Sequence, residues 1–199
     1  MRRIRMYNNV SADGYFADEN GKLDWFVQDP ELLKAATAGV PQNDAVMFGR
    51  KTYEMFAGFW PNVAADAEGK AKGPHGGGPS LEILAMARFL NEVKKIVFSK
   101  TLREPTWKNT RVFHELNPAT LESLKREPGK DILIFGSGTI VSQLTHLGLI
   151  DVYDFVVNPI FLGAGRNLFD ATAARSKLRL VESKSYPTGA VTVRYTRES

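Results

Sequence analysis

The chain has 199 residues, of which 43% are hydrophobic and 24% are charged, a composition typical of one globular domain and not of a disordered chain. It contains no cysteine, which excludes disulfide scaffolds, cysteine-ligated metal sites and thiol nucleophiles. Because no run of about 18 apolar residues and no signal core is present, we expect a cytoplasmic protein without a membrane partner. The net charge of +4 permits an anionic partner, but no dense basic run or aromatic–basic platform indicates nucleic acid.

The first part of the chain alternates strand and helix signals. A strand is predicted at 3–10, followed by a turn at 11–14. Asp29 fits a helix N-cap with Pro30 in the first helical position, and Gly39 can close that helix. After a strand at 45–48, Tyr53, Phe56 and Trp60 recur at helical spacing. Residues 61–80, which include the Gly- and Pro-rich segment 73–79, are predicted to be a mobile loop inserted in the domain.

The second part continues the alternation and then changes. Ser80 fits the N-cap of a helix whose apolar residues share one face. Strands are predicted at 95–99, 110–114, 131–135 and 152–158, with helices at 118–126 and after residue 139. The last third instead predicts a hairpin of two strands, 178–186 and 190–196. We therefore expect one α/β domain over residues 1–199, with a mostly parallel central sheet, flanking helices and an antiparallel C-terminal hairpin.

The segment Gly136-Ser137-Gly138-Thr139, between an apolar strand and a helix, is the strongest local signal for a ligand. Two glycines let a phosphate approach the backbone, and the helix start offers unpaired N–H groups with a partial positive charge. The same pattern also forms a tight strand-to-helix turn without a ligand. It is not a complete dinucleotide fingerprint, because Val141 stands where a third glycine is needed, and it is not a Walker loop.

Two further strand ends carry groups that suit phosphate. Gly49-Arg50-Lys51-Thr52 places two cations at a helix start, where the helix dipole disfavours them unless an anion lies between them. Ser99 and Lys100 follow the next strand. Solvated side chains in loops are the alternative in both cases. Because the carboxyl ends of parallel strands meet at one edge of a sheet, the three segments together suit an extended dinucleotide.

Five segments carry a resemblance to a known family: 10–15 (VSADGY), 49–54 (GRKTYE), 99–101 (SKT), 135–139 (FGSGT) and 159–165 (PIFLGAG). In this order and spacing they resemble the dihydrofolate reductase superfamily. The closest resemblance is to the reductase domain of the bifunctional riboflavin-biosynthesis deaminase–reductase and its stand-alone relatives. The resemblance covers about residues 4–195 and implies a three-layer dihydrofolate reductase-like fold. The His-x-Glu and Pro-Cys-x-x-Cys motifs of the deaminase half are missing, so the bifunctional protein is not expected.

The resemblance implies an NADPH-dependent oxidoreductase. The segment 49–52 would hold the adenosine end and the pyrophosphate, Ser99 and Lys100 would flank the 2′-phosphate, and 136–140 would wrap the pyrophosphate from the other side. Asn9 and Val10 would lie near the nicotinamide. The complete set of cofactor residues that the resemblance implies is Asn9, Val10, Gly49, Arg50, Lys51, Thr52, Ser99, Lys100, Phe135, Gly136, Ser137, Gly138, Thr139 and Ile140.

The implied substrate is a pyrimidine or pteridine, as in 5-amino-6-(5-phosphoribosylamino)uracil reductases or dihydrofolate reductases. Asp24 and Asp13 are the candidate catalytic acids, with an ordered water as the alternative proton source. Either aspartate also fits a cap, of a helix for Asp24 and of its own turn for Asp13. The aromatic residues expected in the substrate pocket are Trp25, Phe56 and Trp60.

Three further expectations complete the sequence interpretation. His114 and His146 have no ligand-like spacing, so no metal site is expected. An NAD-dependent oxidoreductase of another substrate class stays open, although a ribose 2′-OH needs a carboxylate where this chain has Arg50 and Lys51. A non-catalytic NADP-binding module also stays open. The apolar segment 161–165 and the terminal hairpin predict a two-fold homodimer.

Overall fold

The computed structural model describes residues 1–65, 80–169 and 175–198. Its strands are β1 (Ile4–Ser11), β2 (Tyr15–Ala17), β3 (Asn43–Gly49), β4 (Lys94–Phe98), β5 (Thr110–Phe113), β6 (Asp131–Phe135), β7 (Val152–Asn158), β8 (Arg166–Asn167), β9 (Leu178–Ser185) and β10 (Val191–Arg197). Its helices are α1 (Pro30–Gly39), α2 (Arg50–Ala65), α3 (Leu81–Glu92), α4 (Pro118–Arg126) and α5 (Gly138–His146). None of the helices in these ranges has the length and hydropathy needed to cross a bilayer.

Eight strands form one sheet in the order β5-β4-β3-β6-β1-β7-β10-β9. The strands from β5 to β7 are all parallel, whereas β10 runs antiparallel to both β7 and β9. The predicted mostly parallel sheet with an antiparallel C-terminal hairpin is therefore confirmed. Parallel pairing brings the carboxyl ends of six strands to one edge of the sheet, which we call the carboxyl edge, and their starts to the opposite amino edge.

The central strands are buried on both faces, as a parallel sheet between two helix layers requires. In β3, Ala45 and Met47 belong to one core, while Val46 and Phe48 belong to the other, and all four are fully buried. Helices α4 and α5 pack on the first face, and α2 and α3 on the second. This helix–sheet–helix arrangement is the three-layer fold that the sequence predicted.

Local capping chemistry fixes the starts of α1 and α3. The carboxylate of Asp29 accepts the N–H groups of Glu31 and Leu32 at 2.9 and 3.0 Å, with Pro30 in the first helical position as predicted. The hydroxyl of Ser80 accepts the N–H of Ile83 at 3.3 Å. Helix α1 ends at Gly39 as predicted; Gly39 keeps a right-handed φ of −80°, and a 3₁₀ turn, Val40–Gln42, follows directly.

The prediction of a loop over residues 61–80 is wrong at its start. Helix α2 continues to Ala65 with Pro61 inside it. A proline there removes one helical hydrogen bond and costs about 3 kcal/mol. Trp60 and Val63 are both buried against α3, and each contributes about 1.5–3 kcal/mol, which offsets that cost. The rest of the predicted loop, residues 66–79, lies outside the described residues.

Candidate functional site

A continuous cleft of about 1860 Å³ follows the carboxyl edge and extends between α1, α2 and α3. Ligand pockets typically measure about 300–1,000 Å³, so this cleft has room for a dinucleotide and a second small molecule. Of the predicted cofactor residues, all except Val10 line it. Val10 is buried in the sheet core instead, because its side chain points to the α5 face of β1.

The turn between β6 and α5 has an unusual backbone. Gly136 and Ser137 have φ values of 55° and 56°, in the left-handed region that is strained for a serine. The hydroxyl oxygen of Ser137 accepts the N–H of Gly49 at 3.1 Å, so the turn after β6 is tied to the turn after β3. The first N–H groups of α5 have no partner within the helix, and their residues line the cleft.

Gly138, the first residue of α5, has no room for a side chain. A Cβ there would lie 2.5 Å from Cζ of Phe16 on β2, because the ribbon formed by β2 and β8 packs against the start of α5. This antiparallel ribbon was not predicted. Glycine at 138 is therefore required by the packing of Phe16, and glycine at 136 suits the left-handed φ of the turn. Both residues line the cleft without a side chain, so the backbone at the start of α5 is open to a phosphate from the cleft.

Cations gather at the ends of β3 and β4. Arg50 pairs with Glu54 one turn further along α2 at 3.0 Å, with both side chains half-exposed. Among the described residues, no carboxylate lies within 4 Å of the ammonium groups of Lys51 or Lys100, which both line the cleft. The dipole of α2 disfavours cations at its start, so Lys51 is placed to bind an anion.

Ser99 and His114 stand together at the ends of β4 and β5. The hydroxyl of Ser99 accepts the N–H groups of Thr101 and Leu102 at 3.2 and 2.9 Å, which leaves its own O–H as a donor. Nδ1 of His114 donates to the carbonyl oxygen of Ser99 at 2.9 Å. His114 also lines the cleft. Sequence reasoning considered it only as a metal ligand, although β5 ends at the same edge as β4.

The cleft has two parts of different chemistry. We call the first the cationic lobe; it consists of Arg50, Lys51, Ser99, Lys100 and the turn Gly136-Ser137-Gly138-Thr139. The second, the apolar lobe, is formed by side chains of α1, α2 and α3: Leu32, Leu33, Met55, Phe56, Phe59, Trp60, Ile83 and Met86. Phe56 and Trp60 thus line the cleft as predicted. Trp25 does not; it packs edge-on against Phe26, which takes the lining position.

The two predicted acids lie in different places. Asp24 is exposed and lines the cleft next to Phe26. Asp13 lies outside the cleft lining, where its carboxylate accepts the O–H of Ser11 at 2.6 Å and the N–H of Gly163 at 2.8 Å. These bonds, led by that from Ser11, lower the pKa of Asp13. The contacts of Asp13 thus tie the turn after β1 to the backbone at Leu162 and Gly163.

Asp29 and Tyr7 are examples of polar residues of the cleft that were not predicted as site residues. Asp29 lines it, but one carboxylate oxygen caps α1 and the other accepts the O–H of Thr188 at 2.7 Å. The N–H of Leu32, with further bonds from Thr188 and Glu31, lowers the pKa of Asp29. Tyr7 lines the cleft from β1, and burial raises the pKa of its phenol. The period of two along β1 places Tyr7 on the same face as Asn9, a signal that sequence reasoning left unused.

Fold and cleft together define a class: three-layer α/β proteins with a ligand cleft at the carboxyl edge of a mostly parallel sheet. Residues 2–192 match the family model described as the RibD C-terminal domain. The chain belongs to this family, so the family relationship that the sequence motifs suggested is confirmed.

Two proteins of Bacillus subtilis (strain 168) are similar to this chain over nearly its whole length. The uncharacterized protein YyaP is 28% identical, with 98% of this chain and 94% of that protein covered. The uncharacterized protein YwjB is 26% identical, with 98% of each chain covered.

Solved structures with the same fold are more distant in sequence. A protein from Shewanella sp. PV-4 whose name assigns it to riboflavin biosynthesis has a TM-score of 0.73 at 20% identity, with 99% of both chains covered. A pyrimidine reductase-like protein from Corynebacterium diphtheriae has a TM-score of 0.63 at 16% identity, with 100% and 92% covered. The Thermotoga maritima diaminohydroxyphosphoribosylaminopyrimidine deaminase/5-amino-6-(5-phosphoribosylamino)uracil reductase has a TM-score of 0.64 at 16% identity; this chain spans 57% of it.

Proposed function

We propose that this protein is an NADPH-dependent reductase of a small heterocycle of the pyrimidine or pteridine type. The observation that carries the proposal is the cationic lobe, in which three strand ends bring glycine backbone and cations to one cleft; of these cations, Arg50 pairs with Glu54, while Lys51 and Lys100 have no carboxylate within 4 Å among the described residues. Membership of the RibD C-terminal domain family supports a pyrimidine reductase-like activity. The names of the Thermotoga maritima and Corynebacterium diphtheriae proteins agree with this class of reaction.

The residues of the cationic lobe fit the cofactor. The turn Gly136-Ser137-Gly138, which lines the cleft and leads into the start of α5, suits a pyrophosphate. Arg50, Lys51 and Lys100 match the charge of the phosphates, and the hydroxyl of Ser99 is a further donor. When bound, NADPH supplies the hydride.

The chain's own side chains would orient the substrate, exclude water and supply the proton. Asn9 stands at the end of β1, where Oδ1 accepts a hydrogen bond from Asn158 at 3.1 Å, so its orientation is fixed. The apolar lobe excludes water from one side of the reacting centre. Asp24 is a carboxylate of the cleft that makes no capping hydrogen bond to the described residues, and we assign to it the proton or hydrogen bond for the substrate heteroatom, either directly or through a water.

A non-catalytic NADP-binding module is the second candidate function. It is favoured by the placement of the acids, because the carboxylate of Asp13 is engaged by Ser11 and Gly163 outside the cleft lining and Asp24 is exposed. Such a protein would keep the whole cationic lobe and lack turnover.

Titration and turnover separate these functions. We expect NADPH to quench the protein's tryptophan fluorescence saturably and more strongly than NADH at equal concentration. A screen of pyrimidine and pteridine substrates should then give substrate-dependent loss of NADPH absorbance, which Asp24→Asn slows at least tenfold. Binding without turnover of any such substrate would favour the binding module, and absence of NADPH binding would overturn both functions.

We also propose a two-fold homodimer formed through the C-terminal hairpin. β9 is exposed along its whole length, and Leu180 and Val181 are each 53% exposed. Exposed apolar edge strands promote association, so a second copy is the expected cover. Light scattering should give twice the chain mass, and Leu180→Lys combined with Val181→Lys should halve it; a monomer of the unmodified protein at all accessible concentrations would contradict the proposal.

A further inference from the structure

We propose that the hydroxyl of Tyr7 is a second catalytic group of the cleft. It donates a hydrogen bond to the substrate heteroatom that is bonded to the carbon accepting the hydride. This inference rests on the proposed function and deepens it, because it adds to Asp24 a group that stabilises negative charge on the same heteroatom.

The position of Tyr7 in β1 places it between the two lobes of the cleft. Tyr7 lies two residues before Asn9, and the period of two along a strand puts both side chains on one face. In register with Tyr7 is Phe135, the last residue of β6, and the two rings meet edge-on with centroids 6.0 Å apart. Phe135 in turn lies 6.0 Å from Phe56 of the apolar lobe. Tyr7 is therefore next to the place that the proposed function gives to the nicotinamide and the substrate ring.

Packing fixes the ring of Tyr7. It packs against two separate clusters of buried side chains, one that includes Phe48 and Leu133 and another that includes Leu32 and Val156. A ring held from two sides has little freedom to change its rotamer, because protein interiors are close-packed. The hydroxyl at its end therefore keeps one position, as a group that must meet a substrate atom requires.

The hydroxyl of Tyr7 has no partner in the part of the chain that the structure describes. It makes no hydrogen bond there, yet its oxygen is open to solvent and the residue lines the cleft. The nearby carboxylate of Asp154, in register with Tyr7 on β7, is engaged instead by Arg5 at 2.9 Å and Arg194 at 2.5 Å. Because tyrosine hydroxyls in buried surroundings usually find a hydrogen-bond partner, a ligand in the cleft is the expected one.

The surroundings also keep the phenol protonated. Burial, followed by the neighbouring Tyr186 and Asp154, raises the pKa of Tyr7. A phenol in this state is a hydrogen-bond donor at neutral pH and does not act as a base. Its chemistry thus complements that of Asp24, an exposed carboxylate of the same cleft.

A donor at this position suits the charge that develops during reduction. As the carbon of a C=O or C=N bond accepts a hydride, the π electron pair of that bond moves to the heteroatom. The hydrogen bond from Tyr7 stabilises this negative charge, and Tyr7 keeps its proton. The proton that completes the reduction comes from Asp24 or from a water, as in the proposed function. Because the hydrogen bond strengthens as charge grows, its loss should lower kcat more than it raises KM.

Removal of the hydroxyl alone tests the inference. The probes are 5-amino-6-(5-phosphoribosylamino)uracil and dihydrofolate, each followed by the loss of NADPH absorbance. For a probe that the unmodified protein reduces, Tyr7→Phe should lower kcat by about tenfold or more, with KM and NADPH affinity changed by about twofold at most. The control is Tyr195→Phe, since Tyr195 is half-buried against Phe155 outside the cleft lining, and it should keep kcat. An unchanged kcat in Tyr7→Phe, or a loss confined to KM, would overturn the inference.

Replacement of Tyr7 by 3-fluorotyrosine separates hydrogen bonding from packing. This residue keeps the ring and the hydroxyl and makes the phenol more acidic, so kcat should equal or exceed that of the unmodified protein. A kcat as low as that of Tyr7→Phe would assign the loss to packing and overturn the inference. Urea unfolding of both variants should match that of the unmodified protein. Failure of the proposed function is distinguishable, because the unmodified protein itself would then fail to bind NADPH or to reduce either probe, and the inference would fall with it.

Discussion

The two edges of the sheet use their charges differently. The amino edge is closed by ion pairs: Arg2–Asp44, Arg3–Asp131, Lys108–Glu92, Arg111–Glu127 and Lys125–Asp151. At the carboxyl edge, Arg50 has a partner on its own helix, while Lys51 and Lys100 have no carboxylate within 4 Å among the described residues. Charges that serve the fold are thus neutralised within the chain. The unpaired ammonium groups at the carboxyl edge, those of Lys51 and Lys100, are available to a ligand.

The largest expected effect concerns the amino edge. The side chain of Arg2 is 2% exposed and contacts Asp44, with a second bond to the carbonyl oxygen of Lys130 at 2.6 Å. Asp44→Ala removes the nearer carboxylate from this buried cation and leaves only the longer contact of 3.8 Å to Glu127 among its ion pairs with the described residues, so we expect a loss of about 3 kcal/mol in the free energy of unfolding. Urea denaturation measures the loss, and NADPH affinity should stay within twofold. Weaker NADPH binding by the folded variant would contradict the assignment of amino-edge charges to stability and carboxyl-edge charges to ligand binding.

Cofactor choice tests the carboxyl edge. NADPH differs from NADH by one 2′-phosphate, and a hydrogen bond to a charged group contributes about 1.5–3 kcal/mol. At least one of Arg50→Ala, Lys51→Ala and Ser99→Ala should therefore weaken NADPH binding about 10- to 100-fold. NADH binding should change far less. Fluorescence titration at fixed salt measures the affinities for NADPH and NADH. Equal affinities in the wild type, or an unchanged NADPH-to-NADH affinity ratio in all three variants, would contradict a 2′-phosphate site at this edge.

Lys95 provides a contrast with the cations of the carboxyl edge, because its side chain is buried in the fold. Its ammonium donates to the carbonyl oxygen of Asn91 at 2.8 Å and lies 4.4 Å from the ring centre of Trp107. Burial lowers the pKa of Lys95 from 10.5 to about 8. Below pH 8 both folded and unfolded chains hold the proton, and the cost of the buried charge is complete.

Between pH 8 and 10.5 the folded chain releases this proton while the unfolded chain keeps it, so the contribution of Lys95 to stability rises with pH. We expect a rise of about 1 kcal/mol per pH unit at its steepest, measured by urea unfolding. Lys95→Met should lack this component. Parallel pH curves for the two proteins would mean that Lys95 is charged in the fold without penalty.

The smallest effect concerns the ion pair at the carboxyl edge. Arg50 and Glu54 are both half-exposed, and such pairs contribute about 0.3–0.5 kcal/mol. Glu54→Gln releases Arg50 and should tighten NADPH binding by about twofold, with no measurable change in stability. Glu122→Gln, which breaks the matching Arg126 pair on α4, is the control. Weaker NADPH binding in Glu54→Gln would indicate that the pair itself positions Arg50.

The features predicted from sequence are those that depend on a few neighbouring residues. Asp29, Pro30 and Ser80 define helix starts by local hydrogen bonding, and they do so in the structure. The glycine turns at the strand ends were found for the same reason. Their meeting in one cleft followed from a general property of parallel sheets.

The features that were missed depend on partners far away in the chain. The β2–β8 ribbon joins residues about 150 positions apart and has only two residues on one side, too few for a pattern. Whether Trp25 or Phe26 turns into the cleft is decided by packing of an irregular segment. The continuation of α2 into the predicted loop was missed because the burial of Val63 against α3 is invisible in the local sequence.

The position of β1 in the sheet has a consequence for folding during synthesis. This first strand lies in the interior of the sheet, and its neighbours are β6 and β7; Ile4 pairs with Ile132, and Arg5 with Val152. A ribosome adds about 5–20 residues per second, so β1 leaves it on the order of 10 s before either neighbour exists. During synthesis its apolar residues and open backbone edges are available to chaperones or to other nascent chains. β1 can pair with β6 and β7 only after most of the polypeptide has been synthesised.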